Sequence, residues 1–437
     1  MRSLAGVVLV LLAATAVAAE PPLPRASSAR FLGVDTCGSS QCHGSPEPWR
    51  NATVMMKERL VWQAHDPHAG AWRTLTGERG LAIAARLGIA DPGKASECLD
   101  CHATHVPEAQ RGPRFDLTQG VGCESCHGAG GAFLRTHVQP TSTHAGNIAA
   151  GMYPTTDPQA RARLCLSCHQ GDADHAISHR LYGAGHPRLR FELDTYGVLQ
   201  PYHFNPDADY RRRKPFASHF ALWAAGQVEA ARALLARLDA PAHGLFPELA
   251  HYDCHTCHQP IEGGVRPPRV APLGMPRLID TPIVMSTAVA KVVAPPLAES
   301  LGAELRALQR AVARPDALAA ARRQLDGTLA ELARASRDAS AEPAFGRRAL
   351  AALLADARAR KPVGYAHAEA FAMGLSTLVT AEHEAARLDD PTFARASAGL
   401  DAVYAALADE QAYRPDRFDA ALGQLAAALP ATTSDSP

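Results

Sequence analysis

The sequence predicts a mainly α protein with little or no β structure: a loop-rich front portion followed by a helical C-terminal region. Three observations predict it. All ten Cys and 18 of the 20 His crowd into residues 30–270, a stretch rich in Gly, Pro and polar turns. Beyond residue 297, Leu and Phe recur at helical spacing in an Ala-, Arg- and Leu-rich background without Cys. No stretch shows the alternation of apolar and polar residues that marks a half-buried strand.

The 437 residues are 47% hydrophobic and 20% charged. That composition is globular, far from the regime of disorder, and long enough for two or three domains. Lys plus Arg and Asp plus Glu each number 44. The balance argues against a nucleic-acid binder held by phosphate-seeking charge.

Taken in order, residues 1–19 read as a signal peptide. Arg2 supplies the positive start, and the apolar run Leu4 to Ala19 ends in small residues before Glu20-Pro21. The run is marginal for a bilayer span, which needs roughly 20 apolar residues, and no later run is apolar enough. An exported, periplasmic chain without a membrane span is expected. Residues 30–270 form the Cys- and His-rich domain. Within it, Leu222, Trp223, Leu234, Leu235 and Leu238 share helical spacing over 218–239, and Pro241 stops the pattern. Residues 271–296, with Pro272, Pro276, Pro282, Pro295 and Pro296, read as an extended connection. Residues 297–430 form the helical region. Leu318, Leu325, Leu329 and Leu332 share one face there, as do Phe371, Leu375 and Leu378, and Phe418, Leu422, Leu425 and Leu429. Pro315, Pro343, Pro362, Pro391 and Pro415 divide it into helices of ordinary length. Residues 431–437 read as a tail.

The cysteines fall into five pairs, each followed by His. Four are Cys-x-x-Cys-His: Cys98, Cys101 and His102; Cys123, Cys126 and His127; Cys165, Cys168 and His169; Cys254, Cys257 and His258. The first, Cys37, Cys42 and His43, has four intervening residues. A disulfide framework has no reason to put His after each second Cys. Zinc ribbons combine two pairs per ion and do not require it either. Cys-x-x-Cys-His is the attachment signature of c-type haem. Two thiols close in sequence add across the two vinyl groups of one porphyrin. The following imidazole then reaches under the ring and binds the iron. Five covalent haems are therefore expected. Fifteen His remain as candidates for the second axial positions. Filled positions suit single-electron transfer, and an open one permits substrate chemistry.

Residues 31–186 resemble the cytochrome c-554 family of multihaem cytochromes. The resemblance is carried by Phe31-Leu-Gly-Val, Cys37 to His43, Trp62 with His68-Ala-Gly-Ala, Cys98 to His102 and Gly120-Val-Gly-Cys-Glu-Ser-Cys-His-Gly128. The segment from His179 through His186 to Leu193, Trp223 to Gln227, and Pro247 to His258 look like blocks of larger relatives. The family pattern has four haems where this chain has five motifs. The resemblance implies a mostly helical haem domain with stacked and angled haem pairs. It also implies that His68 serves the third haem and His137 the first, and that the second haem, that of His102, is five-coordinate. His179 and His186 are then the favoured partners of the fourth and fifth. His105 could cap a neighbour or lie at the surface, and His65, His144, His175, His219 and His251 are weaker candidates. His367 and His383 read as surface or hydrogen-bonded residues. His255 is expected to turn away from its own haem's iron.

Arg188 and Arg190 are candidates to pair with haem propionates or a substrate anion. Arg211-Arg-Arg-Lys214 could dock an acidic redox partner. The helical region is expected to pack against the haem domain or a partner. The reading favoured is a carrier of single electrons between redox partner proteins, with no catalytic residues. The alternative is an oxidoreductase acting on a small nitrogen or sulfur species at the five-coordinate haem.

Overall fold

The computed structural model describes residues 20–430 except 48–53, 173–174, 176, 215, 239–247, 259–271, 340–343 and 361–363. The signal peptide and the tail lie outside the described residues. The fold is mainly α, and among the described residues the only bridges are isolated ones, Phe31 with Arg111 and Tyr252 with Leu278.

One large core dominates. It joins the helices His219–Arg237, Thr281–Val293, Pro295–Ala311, Pro315–Ala339, Ala344–Ala359, Tyr365–Glu384, Asp390–Ala405 and Pro415–Ala428. Trp223, Met285, Leu325, Leu353, Phe371, Leu375 and Phe418 are fully buried in it. Helix 219–237 belongs to this core, although it lies within the Cys-rich stretch of the sequence. It crosses the helix Pro158–His169 on one side and the C-terminal helices on the others.

The connection expected over 271–296 is not extended. Thr281–Val293 is a helix whose Ile283, Val284, Met285, Ala288, Val289 and Ala290 are buried. Pro282 sits in its first turn and Pro295 opens the next helix. A proline there sacrifices no hydrogen bond, because the first N–H groups of a helix have no internal partner. The prolines mark helix starts, and the nearly all-apolar segment between them marks a helix buried over most of its surface. Pro315, Pro391 and Pro415 likewise start helices rather than only ending them.

The front portion has no comparable core. Its apolar burial is divided among small clusters, such as Phe31, Val106 and Ala129, or Leu75, Leu99 and Ala103. Polar groups hold its loops. Glu124, inside the third Cys-His motif, is buried and accepts hydrogen bonds from the backbone N–H of Leu32, Gly33 and Gly130 at 2.7–2.8 Å. Gly128, which closes that motif, has φ +89°, and a side chain there would meet the Gly151 carbonyl. The string from Gly120 to Gly128 is thus a packing device as well as an attachment site.

Helices 390–405 and 415–428 each contain one glycine, in opposite surroundings. A Cβ on Gly399 would lie 2.8 Å from the Leu425 Cα, whereas one on Gly423 meets nothing within 4 Å. Gly423→Ala should stabilise by up to about 1 kcal/mol through helix propensity. Gly399→Ala should instead destabilise by about 1–3 kcal/mol, because two backbones must separate. Urea unfolding midpoints of the two variants should move in opposite directions.

Candidate haem sites

Each regular motif lies on a short helix or at the end of a longer one: Ser96–His102, Cys123–His127, Pro158–His169, and Cys254–Cys257 with His258 at its cap. Helical spacing puts residues three apart on one face, so both thiols of a motif point the same way. In the wider first motif, the helix Val34–Cys37 ends at the first Cys. A turn bonds Cys42 N–H to the Ser39 carbonyl, and His43 N–H returns to the Cys37 carbonyl at 3.0 Å. The extra residues are absorbed in that loop, and His43 comes back beside its cysteines.

No cysteine is in a disulfide. Burial pushes the Cys37 thiol up to about 12, Cys123 to about 11 and Cys126 to about 12, and raises Cys98, Cys165 and Cys254. Among the described residues, no group of three or more His, Cys, Asp or Glu converges as a chelate.

The histidines of the motifs do not stand alone. His43 faces His137 with ring centroids 5.9 Å apart and planes 24° from parallel. His179 faces His258 at 6.0 Å and 25°. The other three pairs are nearly perpendicular: His68 with His169 at 5.9 Å, His102 with His186 at 6.4 Å, and His127 with His203 at 6.2 Å. A metal–imidazole bond is about 2 Å and a ring centroid lies roughly 1 Å behind its nitrogen, so two rings on opposite sides of one metal atom sit about 6 Å apart. All five motifs therefore meet the spacing that one iron between two imidazoles requires.

The partners differ in part from those the resemblance implies. His137 lies opposite the first motif's His and His179 opposite the fifth's. His68, however, faces His169 of the fourth motif, not the third. His186 faces His102 of the second motif, so the position expected to be open has an imidazole across it. The third motif's partner is His203, which the sequence reading missed. It sits in an irregular Pro-containing loop, Pro201-Tyr-His-Phe-Asn-Pro206, with no motif around it. The one available signal was arithmetic: five motifs against four named partners.

Ring nitrogens of several pairs are held by defined groups. His43 Nδ1 bonds Glu58 Oε2 at 3.0 Å and His68 Nδ1 bonds Asp66 Oδ1 at 2.8 Å. His102 Nδ1 lies 3.1 Å from the Ala71 carbonyl and 3.0 Å from Thr74 Oγ1. His186 Nδ1 bonds the Pro187 carbonyl at 2.8 Å, and His137 Nδ1 lies 3.3 Å from the Asn147 amide. An acceptor on Nδ1, as at His43, His68, His102 and His186, fixes the tautomer that leaves Nε2 for a metal, whereas at His137 the Asn147 amide N–H donates to the ring. Burial lowers His127 to about 3 and His169 to about 4, and lowers His137, His186 and His203. Neutral imidazole is the ligating form.

Of the weaker candidates, His144, His175 and His219 are occupied elsewhere, as is His105, whereas among the described residues His251 Nδ1 is buried without a hydrogen-bond partner. His105 bonds Asp100, His175 bonds Asp172, His144 lies beside Thr156, and His219 sits between Asp194 and Glu384. His255 pairs with Asp253 and Glu410. His367 is buried against Asp280, not at the surface, and His383 pairs with Asp390. Arg188 pairs with Glu369 and Glu410, and Arg190 with Glu369. Those acids belong to the C-terminal helices and their loops, so both arginines tie the front portion to the helical region. Arg211 lies over the Phe216 ring, and Arg212 pairs with Asp209.

The motifs also touch one another. Cys37 and Cys123 are close enough to feel each other's charge, as are Cys126 and Cys165. The thiols of Cys101 and Cys168 lie close enough to influence each other, which raises the first and holds the second down. His179 and His186 flank one short helix, His179–Gly183, and a turn at Gly185 with φ +102°. Numbered along the chain, the motifs therefore adjoin in the order first, third, fourth, second, fifth.

Residues 37–128, about a fifth of the chain, match the family model described as cytochrome c554 and c-prime. The match contains the first three Cys-His motifs, and with it this segment is that of a c-type cytochrome resembling the c-554 family, which implies covalent haem c. No curated protein and no solved structure matches the chain.

Two outcomes follow from the geometry. His203→Ala should turn one low-spin haem high-spin in the electron paramagnetic resonance spectrum, whereas His105→Ala should leave the spectrum unchanged. His219 is raised to about 9 from 6.5, chiefly by its hydrogen bond to Asp194. Its stabilising contribution is complete below pH 6.5 and is lost as pH rises through 9. The difference in urea midpoint between wild type and His219→Gln should shrink over that interval.

Proposed function

We propose that the chain is an exported electron-transfer protein that binds five haems c and relays single electrons between redox partner proteins. The observation that carries this reading is that each of the five motif histidines has a second imidazole about 6 Å across from it. Bound haem c supplies an iron that cycles between ferric and ferrous states.

The chain's own residues do the rest. The ten cysteines attach the porphyrins. His43, His102, His127, His169 and His258 would each hold one iron through a ring nitrogen, and His137, His186, His203, His68 and His179 would each provide a second imidazole to it. With both positions taken, no face is left for a substrate, so the residues favour transfer over bond-making chemistry. A reaction of a small nitrogen or sulfur species at the second haem would need the site that His186 occupies.

The order of adjoining motifs makes the first and fifth haems the ends of the relay. Near the first and third lies the basic turn of Arg211, Arg212 and Lys214, and the Lys214 charge reaches His127 and His137. This end suits an acidic partner. The fifth motif carries the two exposed cysteines, Cys254 and Cys257, which places the other end at the surface. The helical region, through Glu369 and Glu410, braces the segment holding His179, His186 and Cys254. Among the described residues no helix is long and apolar enough to cross a membrane, and the leader at 1–19 supports export to the periplasm.

Pyridine haemochrome absorbance together with intact mass should give five haems per chain. Electron paramagnetic resonance should give only low-spin signals, unchanged by nitric oxide. A count below five, or a high-spin signal that nitric oxide alters, would overturn the reading.

A further inference from the structure

The ten imidazoles are alike in spacing but not in what touches their outer nitrogens. Two of the five pairs have a carboxylate on Nδ1: Glu58 on His43 of the first and Asp66 on His68 of the fourth. Where the second pair's rings are held, the acceptors are neutral: the Ala71 and Pro187 carbonyls and the Thr74 hydroxyl. Among the described residues, neither the His127–His203 pair nor the His179–His258 pair has a carboxylate hydrogen-bonded to a ring.

Asp66 is built for this contact. Its side chain is 3% exposed. Oδ1 takes both the Nδ1–H and the backbone N–H of His68, at 2.8 and 3.0 Å. Oδ2 accepts from the Gln200 amide at 3.0 Å, from a segment far along the chain. The aspartate also caps the short turn Pro67–Gly70, which fixes where His68 stands. Glu58 is arranged similarly: Oε2 faces His43, and Oε1 accepts from the N–H of Met56, whose φ of +59° turns the backbone back toward the carboxylate.

A carboxylate that accepts the Nδ1–H of a ligating imidazole pushes electron density onto the ring and makes it a stronger donor. A fixed negative charge close to an iron also favours the more positive oxidation state. Both effects stabilise ferric over ferrous iron. We propose that Asp66 and Glu58 are positioning residues that hold the fourth and first haems at lower reduction potential than the second, third and fifth. In the order first, third, fourth, second, fifth, an electron then meets low and high sites in alternation before the last step. This inference rests on the ligation proposed above.

The test is a spectroelectrochemical titration, with electron paramagnetic resonance, of the full-length haem-loaded protein. Asp66→Asn keeps the acceptor oxygen and removes the charge. It should move one of five redox components to more positive potential while all five irons stay low-spin. Glu58→Gln should move a different component in the same direction, and Asp91→Asn, at an exposed pair with Lys94, should move none. The proposal is overturned if neither variant shifts a component, if both shift the same one, or if Asp66→Asn yields a high-spin iron, the sign that Asp66 only supports the fold around His68. Should Asp66→Asn not assemble, Glu58→Gln decides alone. Failure of the underlying ligation reading would already be visible as fewer than five low-spin centres in the wild type.

Discussion

The separation of about 6 Å between facing imidazoles is the constraint on which the front portion of this protein depends. It recurs five times, between rings drawn from helix ends, short turns and irregular loops. Such spacing matches a metal bonded on both sides. Small apolar clusters of three or four residues would not by themselves fix the relative positions of so many loops. On the proposed ligation, coordinate bonds at the centre of each pair would do so, and hydrogen bonds such as those from three backbone amides to Glu124 hold the surrounding chain in register.

The five candidate attachment motifs are legible in the sequence, because adding two thiols and one imidazole to the same porphyrin would dictate their spacing. The imidazoles that face them were legible only in part. A facing ring can come from any segment that the fold brings near, and local sequence does not encode it. His137 and His179 face motif histidines that motif context suggested. His203 did not announce itself, and His68 and His186 face other motifs than resemblance implied. The mainly α class followed from periodicity and from the absence of alternation. The error over 271–296 came from reading proline as a breaker. Pro282 and Pro295 occupy first turns, where the missing N–H costs nothing, and the apolar run between them needed the surrounding helices to become a buried rod.

The two halves are joined by chemistry as well as by packing. Helix 219–237 has one flank on the helix that ends in His169 and the other in the large C-terminal core. Arg188 and His255, one beside His186 and one inside the fifth motif, converge on Glu410. Burial lowers the cost of such pairing only when each charge is answered, and here the acids of one half answer the cations of the other. The helical region therefore braces the segment of His179, His186 and the fifth motif rather than standing as an independent appendage.

The five imidazole pairs also have a consequence for how the chain comes into being. Each joins residues roughly 75 to 100 positions apart, and each span overlaps the next, from 43–137 through 68–169, 102–186 and 127–203 to 179–258. Closing one such loop is only slightly harder than closing a shorter one, but no span can be completed until most of another is already present in the chain. Contacts this distant in sequence assemble slowly. The polypeptide must stay open long enough for porphyrin insertion, then lock as an interlaced whole, and a single missing link would leave its neighbours slack.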